Sequence, residues 1–154
     1  MRALFCAFCF LLLAVPAWAG IPLNPDISQH NIGATIFVSG YTKYVRPPVS
    51  YTNKIKKRLM RESGIPLADI HGYELDHIVP LALGGCPDCE DNLQLQPWNG
   101  PDGAHKKDRL EVKLQCLVCT GEVTLVDAQN DIYTDWHAAY SKYARMKCHR
   151  RRSE

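Results

Sequence analysis

Two neighbouring residues, Asp76 and His77, stand at the end of an apolar, strand-like run and could together carry hydrolytic chemistry. A histidine side chain titrates near neutral pH and can take a proton from water. A carboxylate can hold a hard divalent metal ion. A proton acceptor beside a metal ligand is the minimum equipment for metal-assisted hydrolysis of a phosphodiester. The alternative for His77 is a hydrogen-bonded histidine in the protein core.

The sequence around this pair predicts two short strands joined by a turn. Residues 73–79 form the first strand, residues 86–91 form the turn, and the alternation of Leu and Gln over residues 93–96 has the period of a half-buried strand. Adjacent side chains on a regular strand point to opposite faces of the sheet. Asp76 and His77 therefore reach one site only if the strand ends or is distorted there, which the proline and glycines that follow favour.

Two helices are predicted after the strands. The first covers residues 102–118, where apolar residues recur every four positions, and Gly121 lies just past its end. The second opens at Thr124, with Asp127 three residues later in a variant of the capping box. An apolar stripe then follows at Ala128, Ile132, Trp136, Ala139 and Tyr143. We expect this stripe to pack against the strand-and-helix unit.

The first 19 residues have the pattern of a secretory signal peptide. Arg2 supplies positive charge, residues 3–15 are apolar, and residues 17–19 form an Ala-x-Ala cleavage site. The apolar run is shorter than the ~20 residues that span a bilayer. We therefore expect export to the periplasm or beyond, without a stable membrane anchor.

The remainder is expected to form one small domain with two extensions. Residues 20–50, rich in Pro and Gly, predict an irregular N-terminal arm with one short strand at residues 34–38. Residues 51–146 form the domain, which begins with a helix at residues 51–61. Residues 147–154 form a basic C-terminal tail.

The formal net charge is +2 and falls to +1 when the signal peptide, with its single Arg and no acid, is removed. This excludes a protein that coats nucleic acid over its whole surface, but the basic residues are clustered. One basic cluster comprises Lys54, Lys56, Lys57, Arg58 and Arg61, and a second comprises Lys142, Arg145, Lys147 and residues 150–152. Such clusters suit phosphate backbones. The alternatives are a solvated helix face and a frayed tail.

The order Asp76-His77, then Asn92, then a helix resembles the HNH endonuclease family. The motif Asp-His-Ile-Val-Pro-Leu-x-Leu-Gly-Gly, followed closely by Asn-Leu, carries the resemblance, which covers residues 73–108 and is similar to a secreted bacterial branch. It implies an α+β fold: a small single domain in which a ββα-metal core of two strands and one helix grips a metal ion, with additional helices around it.

The resemblance also implies roles for single residues. His77 would activate water, Asp76 would be the first metal ligand, and Asn92 would pin the loop and orient the His77 ring. The alternative for Asn92 is a turn residue that caps its own loop. His105, near the start of the helix, would be the second metal ligand, with Asp108 as the alternative because it lies one helical step away on nearly the same face.

Contacts to the substrate are expected from basic residues. Lys107 would steady the scissile phosphate, and Lys56, Lys57 and Arg58 would hold the phosphate backbone. Glu74 shares a strand face with Asp76 and is expected to be a structural partner for a Lys or Arg rather than a ligand.

Five cysteines follow the signal peptide, at Cys86, Cys89, Cys116, Cys119 and Cys148. The two CxxC pairs predict either disulfides or a four-thiolate structural zinc site. Export favours disulfides, because thiols become oxidised outside the cytoplasm. Either device would tie the turn between the strands to the end of the following helix. Because five is odd, disulfides leave one thiol free or paired between chains, and a zinc site leaves Cys148 over.

We therefore expect an exported, metal-dependent endonuclease that hydrolyses the phosphodiester bonds of DNA with little sequence preference, with RNA as an alternative substrate. Mg²⁺ is the expected ion, with Mn²⁺, Ni²⁺ and Zn²⁺ as alternatives. No protein partner is inferred. Two other interpretations stand beside this one. The chain could be a non-catalytic HNH-like module that binds nucleic acid, or a secreted structural protein stapled by cysteines.

Overall fold

A computed structural model describes residues 20–148 of the chain. The predicted signal peptide, residues 1–19, and residues 149–154 of the predicted basic tail lie outside the described part. The described residues form a small α+β structure, as the sequence predicts. Its elements are helices α1 (Tyr41–Val45) and α2 (Val49–Glu62), strands β1 (Tyr73–His77) and β2 (Leu93–Pro97), and helices α3 (Ala104–Cys119) and α4 (Leu125–Tyr143).

The N-terminal arm is largely irregular, as predicted, but it packs onto the core. The strand predicted at residues 34–38 is wrong: a short 3-10 helix, Ile32–Ala34, and turns occupy this region. Phe37 N donates to Ile32 O at 3.0 Å, so the backbone bonds locally instead of to a neighbouring strand. The apolar residues that suggested a strand serve another purpose, because Ile36 is 1% exposed and anchors the arm in the core.

The first domain helix, predicted at residues 51–61, is confirmed as α2 with slightly wider bounds. It begins directly after Pro48, which has no N–H to leave unsatisfied, and Gly64 follows its end with a positive φ of 67°. Ile55 and Met60 are its buried side chains.

The two predicted strands form an antiparallel pair, in which Tyr73 lies opposite Pro97 and His77 lies opposite Leu93. β1 ends at His77, two residues earlier than predicted. The reason is that the side chain of Asn92 takes over the hydrogen bonding of Val79, which a strand partner would otherwise supply.

Helices α3 and α4 supply most of the core, and both predictions are confirmed. The apolar positions of α3, including Leu110, Leu114 and Val118, are buried, and Gly121 follows the helix with a φ of 76°. Thr124 caps α4 as predicted, because its hydroxyl oxygen accepts from the N–H of Asp127 at 3.1 Å. In the predicted stripe of α4, Trp136 is partly buried and the buried members are Ala128, Ile132, Ala139 and Tyr143.

A kink divides α4 at a position that the sequence pattern did not indicate. Asp135 leaves the helical conformation, with φ −160° and ψ 94°. Its carboxylate accepts the N–H groups of His137 at 2.9 Å and Ala138 at 3.0 Å, as an N-terminal cap does. Asp135 therefore starts a second helical segment.

The cysteines pair differently from the expected scheme. Cys86 bonds to Cys89 within the turn, Cys116 bonds to Cys148, and Cys119 is free and exposed. The expected tie between the turn and the end of α3 is therefore wrong. The chain that leaves α4 returns to α3 and brings Cys148 to Cys116 instead. A four-thiolate zinc site is not compatible with this pairing, because disulfide sulfurs are not thiolates.

Thiol counting tests this pairing directly. A chain that starts at Gly20 should show one reactive thiol, Cys119, when it is denatured without reductant, and five after reduction. The loop-closure model gives ~4 kcal/mol for the bond that spans 32 residues and ~2 kcal/mol for the one that spans 3. Cys148→Ser should therefore lower the free energy of unfolding more than Cys89→Ser, and Cys119→Ser should leave it unchanged. Five reactive thiols before reduction would contradict the pairing.

Among residues 20–148, no helix combines the length and the apolar character that crossing a membrane requires.

Candidate active site

His77 is the last residue of β1 and has one ring nitrogen fixed by the backbone. Its side chain is 5% exposed, and Nε2 lies 3.0 Å from the carbonyl oxygen of Pro87. A carbonyl only accepts hydrogen bonds, so Nε2 carries the proton and Nδ1 holds the lone pair. Burial lowers the pKa of His77 below its ordinary value, which favours the uncharged ring. The result is an imidazole prepared to accept a proton at Nδ1.

His77 borders a cleft between α2 and the strands. The cleft has a volume of about 230 Å³ and carries acidic, basic and aromatic side chains together. Its lining includes Arg46, Asn53, Lys56, Glu74, His77 and Trp98.

Asn92 pins the loop that carries the Pro87 carbonyl. The side chain is 0% exposed: its oxygen accepts from Val79 N at 2.8 Å, and its amide nitrogen donates to Val79 O at 3.0 Å and to Cys86 O at 2.8 Å. The loop-pinning half of the prediction is thus observed. The ring of His77 is oriented by Pro87 rather than by Asn92 itself, so any effect of Asn92 on the ring passes through the loop.

Position 85 is a glycine because the loop backbone passes very close to Val79 and Asn92. A Cβ atom at position 85 would lie 1.9 Å from Val79 O and 2.8 Å from the Asn92 amide nitrogen. Both distances are far inside van der Waals contact. Only glycine lets the backbone pass the amide that holds the loop.

Lys107 reaches from α3 to the end of β1 and is almost fully buried. Its ammonium nitrogen lies 2.8 Å from Asp76 Oδ2 and 2.5 Å from Glu111 Oε1, and it donates to the backbone carbonyl of His77 at 2.8 Å. The side chain is 1% exposed. The prediction that Lys107 steadies a phosphate is therefore wrong, because its ammonium is enclosed by protein oxygens and has no route to a substrate.

The network around Lys107 holds more carboxylates than cations. Burial lowers the pKa of Lys107, but Glu111 and Asp76 outweigh it and the pKa is raised. Burial raises the pKa of Glu74 to about 7, helped by the charges of Asp76 and Asp108. Burial also raises the pKa of Glu111 to about 7, against the attraction of Lys107. The causes therefore differ: burial raises the pKa of the two glutamates, whereas the neighbouring carboxylates raise the pKa of Lys107.

Three buried oxygens lie on one face of the strand pair. They are Glu74 Oε2, Asp76 Oδ2 and Gln96 Oε1. Of these, Asp76 Oδ2 is held in an ion pair by the Lys107 ammonium at 2.8 Å, whereas Glu74 Oε2 and Gln96 Oε1 have no hydrogen-bond partner. The expected Lys or Arg partner of Glu74 is not found among the described ion pairs.

The two candidates for a second metal ligand on α3 lie in different places. His105 is exposed, and its ring lies 5.2 Å from that of Trp98, away from the acidic network. Asp108 is also exposed, but its charge raises the pKa of both Glu74 and Glu111, so it lies near the network. The alternative candidate therefore has the better position. The metal role of His105 stays a prediction that its surroundings do not favour.

A separate group of possible ligand atoms lies in the turn. Within residues 20–148, the one set of three His, Cys, Asp or Glu side chains with mutual metal-binding distances is Cys86, Asp88 and Cys89. The two sulfurs of this set form a disulfide, so it offers a single carboxylate.

The predicted backbone-binding residues of α2 are separated by the fold. Lys56 borders the cleft and donates to Tyr73 O at 2.7 Å. Lys57 is exposed and is not part of the cleft lining. The guanidinium of Arg58 is paired with Glu90 at 2.6 Å. Of the three, Lys56 alone lies beside His77.

Sequence reasoning missed three residues of this site. Glu111 could have been found, because it lies one helical turn after Lys107, where opposite charges attract each other. Arg46 and Gln96 gave no usable signal, since an arginine before two prolines and a strand glutamine are both common.

Comparison with protein-family models, with curated proteins and with solved structures finds no match for this chain.

Proposed function

We propose that this chain is a metal-dependent endonuclease of the HNH type, which hydrolyses phosphodiester bonds of DNA. The observation that carries the proposal is the His77 ring, whose Nε2–H is held by a backbone carbonyl while the ring borders a cleft with basic side chains. This is the arrangement that a general base for water requires. The sequence motif from Asp76 to Asn92 supports the same assignment.

The protein would move the proton in one step. Nδ1 of His77 takes a proton from the attacking water, and the ring becomes an imidazolium. The Pro87 carbonyl, which accepts from Nε2–H, stabilises this positive charge and keeps the ring in one orientation. Asn92 acts as a positioning residue, because it fixes the loop from which that carbonyl projects.

The residues at the end of β1 fit a metal ion. Asp76 Oδ2 is buried and shares the Lys107 ammonium with Glu111, and a carboxylate oxygen suits a hard divalent cation. When bound, such an ion polarises the phosphate and stabilises the leaving oxygen. The excess of carboxylates around Lys107 gives the region a negative charge that favours a cation.

Arg46 and Lys56 would hold the phosphate backbone on either side of the reacting group. Both border the cleft that His77 faces, and contacts of this kind fix position without reading sequence. Little sequence preference is the expected consequence, and RNA remains the alternative substrate.

Replacing a positively charged side chain of the cleft by a neutral one should therefore weaken binding to DNA of any sequence to the same extent. For Arg46→Gln we expect the dependence of log K on log salt to become shallower by about 0.9, the contribution of one phosphate contact on duplex DNA. Fluorescence anisotropy over a salt series measures both quantities. Lys57→Gln is the matched control, because Lys57 lies on α2 but outside the cleft lining. An equal effect of the two variants would contradict a backbone grip centred on the cleft.

We further propose that the enzyme is exported, with a signal peptide at residues 1–19. The two disulfides within the described residues support this, because such bonds persist mainly in oxidising compartments.

A second candidate is a non-catalytic nucleic-acid-binding module. It is favoured by one observation, the ion pair between Lys107 and Asp76, which already supplies a cation to the proposed metal ligand. Such a module would bind DNA and never cut it.

The test is incubation of the exported chain with duplex DNA, single-stranded DNA and RNA, each with Mg²⁺ or with a chelator. We expect cleavage of DNA that requires the ion. Binding without cleavage under all conditions would select the second candidate, and neither binding nor cleavage would contradict both.

A further inference from the structure

We propose that Glu74, Asp76 and Gln96 form an all-oxygen site for a hard divalent cation on one face of the β1–β2 pair. The inference rests on the proposed function for the use of the ion. It assigns two ligands from the strands, Glu74 and Gln96, in place of the helix residue His105.

The register of the strands brings the three side chains to the same face. Glu74 and Asp76 are two positions apart on β1, and residues at that spacing share a face. Gln96 lies directly opposite Glu74 in the antiparallel pair. Directly opposed residues have Cβ atoms ~4.5–5.5 Å apart. The three side chains therefore lie on one face of the strand pair, beside the start of α3.

Each of these side chains presents a buried oxygen: Glu74 Oε2 and Gln96 Oε1 have no hydrogen-bond partner, and Asp76 Oδ2 has the Lys107 ammonium at 2.8 Å. Gln96 is 4% exposed, and its amide nitrogen donates to Asp102 O at 2.8 Å. That bond fixes which way the amide is turned, so Oε1 is the atom left for another partner. Buried polar groups normally have partners, and two such oxygens on the same face as the Asp76 carboxylate indicate a partner that the three side chains share.

The charge of the surroundings indicates that the shared partner is a cation. Glu74, Asp76, Asp108 and Glu111 act on one another electrostatically, and Lys107 is the ammonium among them. Lys107 is already bonded to Glu111 and to the His77 carbonyl, so its charge is shared. A divalent ion would offset the remaining negative charge.

The donor set selects the class of metal. Two carboxylates and an amide oxygen suit Mg²⁺, Mn²⁺ or Ca²⁺, whereas Zn²⁺ and Ni²⁺ prefer nitrogen and sulfur ligands. His105, exposed beside Trp98, takes no part. The competing explanation is a protonated Glu74 whose hydroxyl donates to Gln96 Oε1, which would satisfy both atoms without an ion.

The experiment measures Mn²⁺ binding to the exported chain without nucleic acid, by electron paramagnetic resonance, with Mg²⁺ as the competitor. We expect one Mn²⁺ per chain, displaced by Mg²⁺. Glu74→Gln and Gln96→Leu should each weaken binding at least about tenfold, the equivalent of one lost ligand contact. Far-UV circular dichroism establishes that both variants are folded. Asp88→Asn, which removes the carboxylate beside the Cys86–Cys89 disulfide, is the control and should bind as the unchanged chain does.

Several results would overturn the site. The first is the absence of Mn²⁺ binding, which would select the protonated Glu74. The second is Mn²⁺ binding that neither Glu74→Gln nor Gln96→Leu changes. The third is Mn²⁺ binding that depends on His105. Because the test uses no DNA, a chain that binds Mn²⁺ through these residues yet cuts nothing would uphold the site and reject the proposed hydrolysis.

Discussion

Replacing His77 by alanine should lower the rate of DNA hydrolysis by about 10²–10⁴, the usual contribution of a general base. The reason is that the proposed mechanism makes Nδ1 the proton acceptor, while the bond from Nε2 to Pro87 O orients the ring. The loss should appear in kcat, because His77 is not expected to bind the phosphate. Initial rates of plasmid nicking at saturating DNA and Mg²⁺ measure it.

Two controls make this result specific. The variant should keep the far-UV circular dichroism spectrum of the unchanged chain. His105→Ala should keep most of the activity, because His105 lies beside Trp98 and away from the acidic network. If His105→Ala abolished hydrolysis and His77→Ala did not, the proton acceptor would be misassigned.

Lys107→Met should destabilise the fold by ~3–5 kcal/mol, the cost of removing one partner from a buried ion pair. The substitution leaves Asp76 and Glu111 facing each other without the ammonium that lies within 2.8 Å of both in the unchanged chain. It also removes the donor to the His77 carbonyl. Urea unfolding at neutral pH measures the loss. Lys57→Met, at an exposed position, should stay within about 0.5 kcal/mol.

The destabilisation should depend on pH in a stated direction. When folding raises the pKa of a carboxyl group, the folded state becomes less stable as pH rises from the pKa of the unfolded chain to the pKa of the folded chain. For Glu111, those values are 4.5 and about 7 in the unchanged chain, and removing Lys107 raises the folded value further. The cost of Lys107→Met should therefore shrink as pH falls from 8 toward 5. A cost that is small at pH 8 would show that Lys107 is not the charge that holds this network.

The regular elements follow from the sequence because their signals are local. The four-residue spacing that ends at Val118, the cap at Thr124 and the Leu–Gln alternation each predict an element that the structure contains. The role of Asn92 in its loop was predicted from the resemblance to the HNH family, whose central asparagine pins the loop.

The misses have physical reasons of a different kind. Ile36 suggests a strand because apolar β-branched residues fit strands, yet it is buried in the core from a turn. The kink at Asp135 depends on one side chain capping its own backbone. The pairing of Cys116 with Cys148 depends on where the chain returns after α4. None of these is visible from residue spacing.

The sequence predicts several residues of the candidate site but not the contacts that they make with one another. Asp76 and His77 were found as a pair, and the structure separates their tasks: the carboxylate faces Lys107 and the ring faces the Pro87 carbonyl. Lys107 was expected to steady the scissile phosphate. Its burial follows from tertiary packing, which brings α3 against the end of β1.

The most direct test of the proposed hydrolysis is a side-by-side plasmid assay with the chain that starts at Gly20 and its His77→Ala variant, both purified as folded monodisperse protein. Supercoiled DNA is incubated with each at equal concentration in Mg²⁺, and in parallel with chelator. We predict nicked and linear DNA from the unchanged chain with Mg²⁺, and intact supercoils from the variant and from both chelated samples. Equal cleavage by the two proteins, or none by either, would contradict the assignment of His77 as the base of a metal-dependent nuclease.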